Sequence, residues 1–94
     1  MFLIDVTDVH ALPNRQLELT FEDGVHGKVE MDQILRNYSG VFEPLLEAAY
    51  FQQVKVDQEL GTIVWPNGAD ICPDVLYAYT TGKYKVVDGE ILLN

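Results

Sequence analysis

The sequence predicts an α+β fold: an antiparallel sheet of about five strands, with two or three short helices packed on one face. Three observations lead there. Residues 15–21 and 25–31 alternate apolar and polar side chains with a period of two, as strands with one covered face do. Phe42, Leu45, Leu46 and Ala49 recur at i, i+3, i+4 and i+7, which is one helical stripe. Turn signals at Glu22-Asp23-Gly24 and Pro66-Asn67-Gly68 separate these stretches.

The first strand covers residues 2–12. Ile4 and Val6 share one parity, and Val9 and Ala11 take the other. The strand is therefore either bulged near Thr7-Asp8 or covered on both faces there. Pro13-Asn14 turns the chain. In the next strand Leu17, Leu19 and Phe21 point one way, and Gln16, Glu18 and Thr20 the other.

The register of the following hairpin can be argued. A two-residue Asp23-Gly24 loop pairs Phe21 with His26 and Leu19 with Lys28, which mixes apolar and polar residues on both faces. A three-residue loop pairs Phe21 with Val25, Leu19 with Gly27 and Leu17 with Val29, which separates them. That loop ends in a left-handed residue, and Gly24 supplies it.

Asp32 is placed to cap a short helix carrying Ile34 and Leu35, which Ser39-Gly40 breaks. The Phe42 stripe follows, with Pro44 in its first turn. Phe51 to Asp57 and Thr62 to Trp65 read as two strands joined by Gln58 to Gly61. Pro73 opens a last helix with Asp74 near its positive end. Val75, Leu76 and Tyr79 form its expected buried stripe, and Thr80-Thr81-Gly82 ends it.

With 94 residues and 48% hydrophobic content, the chain is sized for one folded domain. Residues 1–82 form that domain, and residues 83–94 a tail, either a short hairpin around Asp88-Gly89 or an arm. The formal net charge is −9, and the six basic residues Arg15, Lys28, Arg36, Lys55, Lys83 and Lys85 are scattered. Phosphate neutralisation needs clustered cations, so the expectation is no direct nucleic-acid contact and no anionic membrane surface. Excess acid suits solubility or a small basic protein partner. Cys72 is the sole cysteine, which rules out an internal disulfide and fits a reducing compartment. No signal-peptide pattern and no apolar run of ~20 residues is present, so the expected location is cytoplasmic.

The stretch Trp65-Pro66-Asn67-Gly68-Ala69-Asp70, with Pro73, Leu76 and Tyr77 after it, resembles the bacterial domain-of-unknown-function family 2442. Phe21-Glu22-Asp23-Gly24, Val41-Phe42-Glu43-Pro44-Leu45, Phe51 and Val54-Lys55-Val56-Asp57 agree with it. The likeness covers roughly residues 3 to 80. It implies a small α+β domain without an assigned activity. In that family some members carry a helix-turn-helix domain, and others stand alone beside a small partner, in an arrangement like a toxin–antitoxin pair.

Four residues around this marker are the candidate binding region: Trp65, Asn67, Asp70 and Tyr77. Aromatic residues anchor interfaces, but they also fill cores. Asp70 precedes a helix start, where a carboxylate ordinarily satisfies backbone N–H groups. His10 and His26 sit on strands, and the Asp8/His10 and His26/Glu30 spacings give only two ligands each, so no metal is expected. Ser39 lacks a nucleophile elbow, Cys72 has only a helix start beside it, and no glycine loop cradles phosphate. The expectation is no cofactor and no catalysis: a protein–protein interaction module of the antitoxin kind. A small-ligand-binding or sensor domain is the alternative, and homodimerisation is compatible with both.

Overall fold

A ladder of alternating side chains organises the first third of the molecule. The computed structural model describes residues 4–82, and beyond them the backbone of Tyr84–Val87 and Glu90–Leu93. Strands β1 (Val6–Leu12), β2 (Gln16–Phe21) and β3 (His26–Glu30) form an antiparallel sheet in the order β1-β2-β3. Leu17, Leu19, Phe21 and Val29 lie on its covered face and are buried.

The parity change in β1 is a bulge. Val6 faces Phe21, but the next pair is Asp8 with Thr20, so Thr7 is the extra residue. Its hydroxyl donates to the Thr20 carbonyl at 3.2 Å. Beyond it Val9 faces Leu19 and Ala11 faces Leu17, which returns both to the side of Val6. A single inserted residue thus lets both halves of the strand serve one core.

The β2–β3 hairpin has the three-residue loop. Phe21 N–H donates to Val25 O at 2.8 Å, Gly24 N–H donates to Phe21 O at 2.9 Å, and Gly24 has φ 90°. Leu17 faces Val29 and Leu19 faces Gly27, the register that keeps one face apolar. The β1–β2 connection is tighter in conformation. Asn14 and Arg15 both adopt left-handed φ, 62° and 56°, and the Arg15 carbonyl accepts from Met31 N–H at 2.9 Å.

Helix α1 (Met31–Ile34) buries Met31, and no side chain caps it. Asp32 therefore does not act as the cap that its position suggested. It lies inside the first turn and is held by side chains described below.

The expected single stripe over residues 42–49 is divided. Residues Gly40–Leu46 form a 3-10 segment, and α2 (Ala48–Phe51) follows. Pro44 has no N–H to give an α-helical ladder. The chain bonds at i→i+3 instead, with Phe42 N–H on Ser39 O at 3.1 Å and Glu47 N–H on Pro44 O at 3.0 Å. A three-residue period aligns Phe42 with Leu45 and swings the next apolar position outward. Leu45 is fully buried, and Leu46 is 49% exposed. Phe51 was expected to open a strand; it ends α2, its N–H donating to Glu47 O at 2.9 Å.

Strands β4 (Lys55–Asp57) and β5 (Thr62–Val64) pair with each other and do not join the main sheet. The expected continuous sheet of about five strands is therefore two ladders. The free edge of β5 is already occupied, because Val64 bridges to Asp70 and the buried Thr62 hydroxyl donates to Ile71 O at 2.5 Å. The ladders are tied by Val6 N–H on Gly61 O at 3.0 Å. Gly61 has φ 70°, and a Cβ there would collide with the Asp5 carboxylate, so the junction needs glycine on both counts.

Helix α3 (Pro73–Thr81) starts at Pro73 and stops at Gly82, whose φ is 73°. Its buried residues are Leu76 and Ala78; Val75, Tyr77 and Tyr79 pack partly against the core. In the tail, β6 (Tyr84–Val87) and β7 (Glu90–Leu93) pair antiparallel, and the Asp88-Gly89 turn lies outside the described residues. Among the described residues no helix is long and apolar enough to cross a membrane.

Gly27 marks the place where α3 meets the sheet. A Cβ there would lie 2.8 Å from Thr80 Cγ2, and the Thr80 hydroxyl is tied to Leu76 O at 2.8 Å. Gly27→Ala is expected to cost about 1–2 kcal/mol in urea unfolding through overpacking. Thr80→Ser in the same chain removes the methyl and should recover most of that loss. If it recovers none, the contact is not what makes glycine necessary.

Candidate functional site

The Trp-Pro-Asn-Gly-Ala-Asp stretch folds as a clip. Trp65 N–H donates to Ala69 O and Gly68 N–H to Trp65 O, both at 2.9 Å. The Asn67 side chain closes the turn from within, its Oδ1 accepting from Ala69 N–H at 3.1 Å. It also reaches outward: Nδ2 donates to Val41 O at 2.8 Å, and Asn67 N–H donates to the Tyr50 hydroxyl at 2.9 Å. The indole Nε1 of Trp65 donates to Phe51 O at 3.0 Å, and its ring lies 5.8 Å from that of Phe51. Three bonds thus fasten the turn to the 3-10 segment and α2.

The four candidate residues do not share one surface. Trp65 is 1% exposed and belongs to the core. Asn67 is exposed, yet its side chain is committed to the clip. Asp70 is exposed and makes its bridge to Val64 through the backbone; it does not cap α3, whose N-cap is Cys72 with no side-chain bond. Tyr77 belongs with the β2–β3 turn. Its ring meets Phe21 edge-on at 5.0 Å and 85°, and its hydroxyl donates to Asp23 Oδ2 at 2.7 Å. That hydrogen bond, with a second from Val25 N–H, holds the Asp23 carboxyl below its ordinary range and raises the Tyr77 hydroxyl.

A second polar cluster escaped the sequence reading. Arg15 grips Asp32 with both arms of its guanidinium, Nε to Oδ1 at 2.9 Å and a terminal nitrogen to Oδ2 at 3.1 Å. The Tyr38 hydroxyl donates to the same Oδ1 at 2.6 Å, and the guanidinium lies 5.8 Å from the Tyr38 ring centre. The Arg15 and Tyr38 hydrogen bonds draw the Asp32 carboxyl down to about 2. Burial, then the Asp32 hydrogen bond, pushes the Tyr38 hydroxyl well up. No spacing rule links residues 15, 32 and 38; the left-handed turn at Arg15 and the start of α1 bring them together.

Beside this cluster lies a cleft of about 210 Å³ between the β1–β2 turn and α2. Leu12, Pro13, Leu46 and Phe51 give it an apolar lining, and Arg15 and Gln52 a polar one. A second cleft, of about 230 Å³, adjoins the Gly61 junction. The histidines lie elsewhere, each beside one carboxylate: His10 is 3.1 Å from Asp8, and His26 is 3.2 Å from Glu18 rather than bound to Glu30. Among the described residues no three His, Cys, Asp or Glu converge as a metal set would. Cys72 is exposed at the start of α3.

The geometry is that of a small α+β domain clipped together by one polar turn, with a small cleft of mixed polar and apolar lining at its edge. The chain belongs to the family described as "Protein of unknown function (DUF2442)", whose model matches residues 6–82. No curated protein matches it. Among solved structures it is similar to a proposed DNA-binding protein, NE0471, of Nitrosomonas europaea ATCC 19718. The TM-score is 0.72 at 26% identity, over 86% of this chain and 51% of that one. The chain therefore spans about half the length of that protein.

This likeness corrects the expectation of no direct nucleic-acid contact. That expectation rested on scattered cations. Scatter along one sequence weighs only on the phosphates that this chain's own lysines and arginines would meet. It carries no information about a longer protein built on the same fold, and here the fold recurs in a protein described as DNA-binding.

Three substitutions test these arrangements. Asn67→Ala removes the acceptor for Ala69 N–H and the donor to Val41 O, and is expected to destabilise by about 1–3 kcal/mol in urea. Asp70→Ala, by contrast, should leave the melting temperature nearly unchanged. For Asp32, whose folded-state pKa is depressed, the stabilisation is present above the unfolded value near 4 and is lost as pH falls toward 2. Because the pair is solvent-exposed, the stabilisation is small and screened by salt. Asp32→Asn should therefore melt lower than wild type at pH 7, with the gap closing as pH falls through 2; a gap that does not narrow between pH 4 and pH 2 would contradict this assignment.

Proposed function

We propose that this chain is a non-catalytic protein–protein interaction module serving a DNA-binding system, of the antitoxin kind. The observation that carries the reading is the match of nearly the whole domain to about half of a proposed DNA-binding protein. A fold that occupies half of such a protein leaves the other half for a separate task, and holding a partner is a task suited to a rigid, enzyme-free module. The exposed apolar residues support it. Val41 is 52% exposed and Leu46 49%, and both stand on the segment that the clip fastens. Large apolar side chains held outward on a pinned backbone favour association, because little freedom remains to be lost.

The sensor reading has the two clefts in its favour. Both are smaller than the roughly 300–1,000 Å³ of ordinary small-molecule pockets. A compound that raises the melting temperature of the purified domain would bring this reading forward.

The test is tagged capture from the native host after mild crosslinking, with mass spectrometry of bound protein and sequencing of bound DNA. One near-stoichiometric protein is the expected result. A well-folded bait that retains neither protein nor DNA would overturn the proposal. A mobility shift with the purified chain, run at low and at physiological salt, decides whether the domain itself touches DNA.

A further inference from the structure

Of the four asparagines, at positions 14, 37, 67 and 94, only Asn67 is followed by glycine. An asparagine before glycine is prone to lose ammonia without any enzyme, because Gly68 has no Cβ to keep its nitrogen away from the neighbouring side-chain amide. The Gly68 nitrogen bonds to Asn67 Cγ, the Cγ–Nδ2 bond breaks, and the proton shed by Gly68 N–H leaves with Nδ2 as ammonia. Water then opens the cyclic imide at one carbonyl or the other. The product is aspartate or isoaspartate at position 67. Asn67 is exposed, so water and base reach it.

Hydrogen bonds, and not burial, oppose this reaction in the folded chain. Gly68 N–H donates to Trp65 O at 2.9 Å, so the nitrogen gives up the bond that closes the turn when it sheds its proton. The side-chain amide is held at both ends, Oδ1 by Ala69 N–H at 3.1 Å and Nδ2 by Val41 O at 2.8 Å, and cannot swing Cγ onto the nitrogen. Asn67 N–H on the Tyr50 hydroxyl, at 2.9 Å, fixes the adjoining backbone. We propose that Asn67 is a modification site gated by the clip. It keeps its amide while the turn is fastened to the 3-10 segment, loses ammonia when that contact opens, and does not refasten afterwards. The opening is local, because short elements part at less cost than the whole fold. The product lacks the Nδ2 donor and sets a carboxylate oxygen against Val41 O, which leaves that carbonyl unpaired. Isoaspartate also inserts a methylene into the backbone of the turn. The modification is a one-way release of the segment that carries the half-exposed Val41. It stands on the clip alone and is independent of the interaction-module reading.

The test ages the full chain at mildly alkaline pH, in buffer and in guanidinium chloride, and follows position 67 by peptide mass spectrometry. Conversion is expected to be at least about tenfold slower in buffer than in denaturant. Tyr50→Phe removes one bond of the lock. It should speed conversion in buffer about fivefold and leave the rate in denaturant unchanged. Aged chains, separated from the rest by their extra negative charge, should exchange amide hydrogens across residues 40–51 at least about tenfold faster than unaged chains. No conversion even in denaturant overturns the site itself. Equal rates in buffer and denaturant overturn the gate, as does a Tyr50→Phe rate in buffer equal to that of wild type. Aged chains that exchange residues 40–51 as slowly as before overturn the release.

Discussion

The stretch from Met31 to Val54 depends on hydrogen bonds that it cannot make for itself. It contains a four-residue helix, a 3-10 segment and another four-residue helix, and no strand. Elements so short leave most of their terminal carbonyl and N–H groups unpaired. Buried backbone groups without partners are costly, so something outside the stretch must supply them. The Trp65 to Ala69 turn does so: the indole N–H takes the Phe51 carbonyl, the Asn67 amide takes the Val41 carbonyl, and Tyr50 returns a contact to the turn. The same turn carries the chain back along β5, where the Val64–Asp70 bridge and the Thr62 bond to Ile71 O occupy the edge of that strand. The indole bond explains why Trp65 sits in the core although it adjoins an exposed turn.

The sheet was legible because strand pairing leaves a two-residue rhythm that one covered face preserves. Leu17, Leu19 and Phe21 fix the loop length, since only one register keeps their partners apolar. The shift of Val9 and Ala11 could be seen too, but bulge and double coverage predict the same pattern in sequence. The 3-10 segment was hidden for a definite reason. Phe42 and Leu45 are three apart, and periods of 3.0 and 3.6 separate only over a longer run. Pro44 was the available sign that an α-helical ladder could not pass through this point.

The site was far less legible than the fold. The segment at residues 65–70 stood out in the sequence, but an asparagine that braces a turn and one that meets a partner look alike there. The bidentate Arg15–Asp32 pair with Tyr38 had no sequence signature at all. It depends on two consecutive left-handed residues, Asn14 and Arg15, of which neither is glycine. Backbone strain of this kind costs of order 1 kcal/mol or more per residue and persists where surrounding contacts fix it. Here those contacts are the Arg15 carbonyl on Met31 N–H and the guanidinium on Asp32.

These two arrangements bear on function together. The clip fixes the backbone of the 3-10 segment, and the Arg15–Asp32 pair cancels the cation beside the adjoining cleft. The one charged side chain that lines the cleft is thereby paired within the chain itself. A net charge of −9 spread evenly would favour solubility and little else. Val41 and Leu46, held half exposed on the pinned segment, are why the proposed partner-holding role rests on this edge of the domain rather than on the outer face of the sheet. On that face each histidine pairs with one carboxylate and no large apolar side chain stands half exposed.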